Sequence, residues 1–92
     1  LYFMIGIYKI TSPSGRVYIG QSIDIEKRFR NYKYSICSKE QPILHNSFKK
    51  YGWESHIFEV VFECEISELN KFERHYQELY QCISEKGMNC KL

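Results

Sequence analysis

The tripeptides Gly6-Ile7-Tyr8 and Tyr18-Ile19-Gly20 stand in near mirror order around the turn-forming stretch Thr11-Ser12-Pro13-Ser14-Gly15. Met4 to Ile10 and Arg16 to Ile19 are rich in β-branched and aromatic residues, so the whole reads as a β-hairpin. Opposite residues of an antiparallel pair share a face, and side chains alternate along each strand. Pairing Ile10 with Arg16 around a five-residue loop would set Tyr8 opposite Tyr18 and Gly6 opposite Gly20. Two hydroxyls would then share a face, with the glycines leaving the backbone open beside them. A loop one residue different would send the tyrosines to opposite faces. Such a pair has two readings: an ordinary cross-strand aromatic contact, worth under about 1 kcal/mol, or two phenols placed for chemistry.

Two more side chains bear on that choice. Glu73 falls inside the apolar stripe of a helix, four residues after Leu69 and three before Tyr76. A carboxylate there is costly unless the stripe's edge is wet, an arginine pairs with it, or it binds a metal. Arg28 lies between Ile25 and Tyr32 on the margin of another helix's apolar face. It either runs along the surface as a solvated cation or grips a phosphate with two donors. Tyrosines, an arginine and a glutamate are together the parts for metal-assisted phosphodiester hydrolysis. One carboxylate can anchor magnesium, with water and phosphate oxygens completing the shell. The arginine offsets charge developing at phosphorus. A tyrosine positions or deprotonates the attacking water, although a reference pKa of about 10 makes it a poor base at neutral pH unless a cation stabilises the phenolate.

These residues need elements to position them. Asp24 is a suitable N-cap for a helix to about Tyr34, with Ile25, Phe29 and Tyr32 as its apolar face. Ser38 to Gln41 reads as a loop, and Pro42 opens a second helix ending near Gly52. His56 to Phe62 has strand composition, and Ser67 would cap a longer helix to about Ser84 with Leu69, Phe72, Tyr76, Leu79, Tyr80 and Ile83 on one stripe. Gly87-Met88-Asn89-Cys90 is a short tail that can return to the sheet. The expectation is one α/β domain over residues 4–92, with Leu1-Tyr2-Phe3 reading as the remnant of an engineered linker.

Composition narrows the classes. With 92 residues, 43% of them hydrophobic and 16% aromatic, the chain can pack one small core and is not a disordered chain. No apolar run approaches the roughly 20 residues of a membrane helix, so no membrane partner is expected. Cys37, Cys64, Cys82 and Cys90 form no C-x-x-C pair, and His45, His56 and His75 do not fall at zinc-ligand spacing, so reduced thiols in an intracellular protein are expected. The formal net charge of +2 hides an uneven distribution. Residues 27–50 carry seven basic residues against Glu40 alone, whereas residues 51–92 carry eight acids against four bases. A basic middle interleaved with Phe29, Tyr32, Tyr34 and Tyr51 suits a phosphate backbone, with Lys27, Arg30, Lys33, Lys49 and Lys50 as candidate contacts. A solvated basic face would look the same.

The ordered motifs resemble those of the GIY-YIG nuclease family. Both name-giving tripeptides are intact, and Asp24-Ile25-Glu26-Lys27-Arg28-Phe29 looks like the family's first helix. Leu44-His45-Asn46-Ser47-Phe48 with Lys50-Tyr51-Gly52 resembles the second-helix segment of phage-type homing endonucleases, and Gly87-Met88-Asn89 the closing Gly-x-Asn. The resemblance implies a three-stranded antiparallel sheet flanked by about three helices, and metal-dependent cleavage of DNA. Tyr8 would be the general base or water positioner, Tyr18 its partner at the phosphate or water, and Arg28 the catalytic arginine. Glu73 would hold one Mg2+ or Mn2+ ion, with Asn89 supporting the site and the glycines Gly6 and Gly20 structural. Several members carry a histidine where this chain has Tyr32, so either Tyr32 substitutes or the step is handled differently, with His45 a further polar candidate. DNA would be the partner, with sequence-specific binding in a separate domain or partner protein. A non-catalytic nucleic-acid-binding module on the same fold is the alternative. In either case Tyr8, Tyr18, Arg28 and Glu73 are expected to converge on one concave face.

Overall fold

In the computed structural model, which describes residues 4–33 and 42–80, the hairpin consists of β1 (Gly6–Thr11) and β2 (Val17–Ser22). Thr11 faces Val17, Ile10 faces Tyr18, Tyr8 faces Gly20 and Gly6 faces Ser22. The expected register, Ile10 with Arg16 and Tyr8 with Tyr18, is therefore displaced by two residues. The turn sets the displacement. The Gly15 N–H donates to the Ser12 carbonyl at 2.9 Å, and the Ser12 N–H donates to the Arg16 carbonyl at 2.9 Å. Pro13 and Ser14 thus form the turn's centre, and Gly15 follows at φ 88°, a left-handed conformation that glycine adopts without strain. A shift of two preserves parity, so Tyr8 and Tyr18 still share a face as diagonal neighbours.

β3 (Ile57–Glu63) pairs antiparallel with the other edge of β1, giving the order β2-β1-β3. The β1–β3 register is irregular between Ile7 and Tyr8. A side chain at Gly6 would collide with the Phe62 carbonyl there, so Gly6 admits β3 rather than opening the backbone beside the tyrosines.

Helices cover both faces. α1 (Ile25–Lys33) and α2 (Pro42–Tyr51) bury Tyr8, Ile10 and Tyr18 against Ile25, Tyr32 and Leu44. α3 (Leu69–Leu79) covers the opposite face, packing Leu69, Phe72 and Tyr76 on Ile7 and Ile19. Asp24 does cap α1, its Oδ1 accepting the Lys27 N–H at 3.2 Å. Ser67 does not cap α3. Residues Ile66–Glu68 form a 3-10 turn, and the helix starts at Leu69 without a side-chain cap. Leu79 is also misplaced by the expected stripe: it is exposed, while Gln77 is buried and its amide reaches the Ile19 carbonyl. The segment 34–41, the expected end of α3 near Ser84, and the tail with Asn89 lie outside the described residues. No helix among the described residues is long and apolar enough to cross a membrane, and Cys64 is a free, half-buried thiol.

A polar clasp ties α2 to β3. The buried His56 accepts the Ser47 hydroxyl at Nε2 over 2.7 Å, and its Nδ1 donates to the Gly52 carbonyl over 2.8 Å. A carbonyl only accepts, so the ring must be the neutral Nδ1–H tautomer. Burial holds the His56 pKa below its ordinary 6.5. The unfolded chain then binds the proton more readily, so the clasp's stability is full above about pH 6.5 and is lost as pH falls towards the folded-state value. The thermal midpoint is expected to fall from about pH 8 to about pH 5.5 more steeply in the wild type than in His56→Phe. Equal pH slopes in the two proteins would refute the assignment.

Candidate active site

The shared face of β1 and β2 gathers three phenols. The Tyr8 hydroxyl is 2.7 Å from the Tyr32 hydroxyl, contributed by α1. The Tyr8 and Tyr18 rings lie 6.2 Å apart, and so do those of Tyr8 and Tyr32. Gly20 makes this possible: a Cβ there would come within 2.5 Å of the Tyr8 Cζ and hydroxyl and 2.9 Å of Tyr18. The Tyr8 ring therefore lies flat across the Gly20 backbone. Phe29 meets Tyr8 edge-on at 5.5 Å, so the phenols are walled by aromatic carbon on the far side.

Burial pushes the Tyr8 phenol well above its ordinary range, the neighbouring Tyr32 and Tyr18 reinforce this, and the Arg28 charge opposes it. Burial raises Tyr18 as well, with Tyr32 and the Glu73 charge adding to the shift and a hydrogen bond from Tyr8 opposing it. Tyr8 and Tyr18 therefore stay protonated at neutral pH.

Arg28 stands exposed on α1, beside a cleft of about 520 Å³ lined by Ser22, Ile23, Asp24, Lys27 and Asn31 as well. Glu73 comes from the other side of the sheet. It is half-buried on α3, and its Oε1 accepts the Gln21 side-chain amide at 3.2 Å. The same amide donates to Asn70 Oδ1 at 2.7 Å. The Gln21 backbone N–H also supports the carboxylate, which places Glu73 at the open edge of β2, where a strand's outward N–H groups lack ladder partners. Burial raises the Glu73 pKa, and the two Gln21 hydrogen bonds oppose that rise. The tyrosines and α1, which carries Arg28, thus belong to one face and Glu73 to the opposite layer, whereas all four were expected to converge on one concave face.

The remaining candidates fall in different places. Tyr32 sits within the phenol cluster, at the position where the family resemblance suggested a histidine. His45 is exposed on α2 and is not a partner of the phenols. Lys27 and Arg30 are exposed on α1, Lys49 and Lys50 on the last turn of α2, and Lys33 closes α1. Among the described residues no three metal-ligating side chains cluster, so Glu73 is a lone carboxylate. Its half-buried oxygens, held by neutral amides without a basic partner among the described residues, fit a hard cation whose other ligands are water and phosphate oxygens.

Comparison with known proteins agrees with this fold. The family described as the GIY-YIG catalytic domain matches residues 4–89. The fold is similar to that of the catalytic domain of the homing endonuclease I-TevI, with a TM-score of 0.76 and 23% identity over 96% of this chain and 99% of that one. No curated protein sequence matches this chain.

Proposed function

The chain belongs to the GIY-YIG catalytic-domain family of nucleases, and from that premise we propose that it is a divalent-metal-dependent endonuclease hydrolysing DNA backbone phosphodiesters. The observation that carries this reading is the cluster of three buried phenols, Tyr8, Tyr18 and Tyr32, beside the helix that carries Arg28.

In this proposal the scissile phosphate lies along the β2 edge. Arg28 offers two parallel donors to the non-bridging oxygens, where negative charge grows as the nucleophile adds. Each phenol has one proton to donate and the Tyr8–Tyr32 hydrogen bond uses one of the three, so the cluster keeps O–H groups and lone pairs with which to orient the attacking water. Tyr8 is 1% exposed and Tyr18 and Tyr32 6% each, so Tyr18 and Tyr32 are the phenols nearer the substrate and Tyr8 the one that backs them. The raised pKa values of Tyr8 and Tyr18 suit positioning better than proton abstraction at neutral pH. Glu73, oriented by Gln21, would hold the Mg2+ or Mn2+ ion, which when bound supplies Lewis-acid polarisation and a more acidic water. Lys27 and Arg30 extend a basic surface beside Arg28 and favour sequence-tolerant contact with DNA, leaving site selection to another domain or partner.

Supercoiled plasmid and branched DNA incubated with magnesium, then with chelator, test the proposal. Magnesium-dependent nicking that chelator abolishes is the expected result. Salt-sensitive DNA binding without nicking would replace it with a nucleic-acid-binding module, and absence of both would refute a DNA substrate.

A further inference from the structure

A second cleft, of about 310 Å³, opens between the hairpin turn and the end of α2, lined by Ser14, Arg16, Asn46, Lys50 and Tyr51 among others. None of these residues belongs to the phenol cluster. We propose that this cleft seats a DNA backbone phosphate next to the scissile one, held by Arg16 and Lys50. The inference rests on the endonuclease reading and adds to it a fixed track for the bound strand.

The first argument is an unmet donor. The Arg16 Nε is shielded from solvent and has no hydrogen-bond partner among the described residues. A guanidinium N–H removed from water without an acceptor is costly. Arg16 also finds no carboxylate partner among the described residues. An anionic oxygen entering the cleft that Arg16 lines would satisfy both needs at once.

The second argument is the polarity of the walls. α2 contains no acid, and Lys49 and Lys50 occupy its last turn. The nearest acid in sequence among the described residues, Glu54, has its carboxylate beside Gly52 and does not line the cleft. Ser47 also borders the cleft, but its proton is committed to His56, so it contributes no donor. The donors left to face a ligand include Arg16, Lys50 and the Asn46 amide, the Ser14 hydroxyl being paired with that of Ser12 at 2.7 Å. That set matches the oxygens of a phosphodiester.

The third argument is spacing. Arg16 and Tyr18 have the same parity, and the Ser12–Arg16 hydrogen bond continues the ladder to Arg16. At about 3.3 Å per residue they stand about 6.6 Å apart along the strand. Successive phosphates on one DNA strand advance about 3.4 Å along the axis. A strand whose scissile phosphate faces Tyr18 would therefore bring a phosphate one or two nucleotides away towards Arg16.

The test measures binding separately from cleavage. A labelled duplex is titrated by fluorescence anisotropy in chelator, across about 50 to 200 mM salt, with wild type, Arg16→Gln, Lys50→Gln and the double variant. Removing one phosphate-binding cation should reduce the slope of log affinity against log salt by about 0.9, and the double variant should show about twice that reduction. Lys71→Gln, on α3, should leave the slope unchanged. Cleavage at saturating DNA should stay within about twofold of wild type for the single variants, since neither residue touches the reacting atoms. Lys50 is exposed, so its variant decides the matter if Arg16→Gln does not fold. Unchanged slopes in folded variants, or an equal drop for Lys71→Gln, would overturn the cleft alone. A wild type that shows no salt-dependent DNA binding would overturn the endonuclease reading with it.

Discussion

Replacing Glu73 by glutamine is expected to reduce metal-dependent cleavage by about a thousandfold or more, while leaving the fold at least as stable as before. The two effects have separate causes. Glutamine keeps the shape and an oxygen that accepts the Gln21 amide, so the hydrogen bond at the β2 edge survives. It removes the charge that would hold the cation. The stability sign follows from the pKa. Burial raises the Glu73 pKa, so the folded state binds its proton more tightly than the unfolded chain does. Stability therefore falls as pH rises from the unfolded value through the folded one, and above that the ionised carboxylate remains a standing cost. Glu73→Gln escapes that cost, so its melting temperature near pH 7 should equal or exceed that of the wild type. It should also bind DNA as well or better, because one negative charge has gone from the phosphate path. Single-turnover cleavage with magnesium, melts and anisotropy together check this. Cleavage within tenfold of wild type would remove Glu73 from the site.

The hairpin shows how far sequence patterning reaches. Alternation put Tyr8 and Tyr18 on one face because parity is a property of the chain, and any odd loop preserves it. The register itself was not legible, because it depends on where the turn closes. Gly15 in a left-handed conformation closes it on Ser12, and the pairs all move by two residues. That shift placed Gly20, rather than Tyr18, opposite Tyr8, and so allows the Tyr8 ring to lie over the backbone. Asp24 announced α1 because capping is local chemistry. Ser67 misled because a 3-10 turn displaces the start of α3, and a short polar residue suits either position.

The candidate residues could be named from the sequence, but how the fold arranges them could not. Glu73 stood out as a carboxylate inside an apolar stripe, yet which layer its helix joins is a tertiary matter. α3 packs on the face away from the phenols, so Glu73 stands in the opposite layer beside Gln21 of β2. Tyr32 carried no signal of its own beyond helical spacing, since a tyrosine on an apolar face is ordinarily core. The Ser47–His56–Gly52 clasp and the shielded Arg16 gave no signal at all, because each depends on neighbours distant in sequence or on a turn geometry.

Arg28→Ala is expected to lower the cleavage rate at saturating DNA by a factor of about 100 to 10,000, with little change in affinity or in melting temperature. Its exposure and lack of an ion pair among the described residues make it nearly free of structural duties. Its charge nevertheless opposes the rise that burial imposes on the Tyr8 phenol. Lys27 and Arg30 remain to attract the backbone, so binding weakens only by the share of one cation among several. The rate falls further, because the charge that Arg28 offsets grows only as the nucleophile adds, and such interactions act on the barrier alone. Arg28→Lys separates charge from geometry: a lysine restores the charge but not the two-pronged fork, so it should recover only part of the rate. Full recovery would mean that a point charge suffices. A fall in affinity with an unchanged rate would make Arg28 one more backbone-binding cation and leave the phenol cluster without its own.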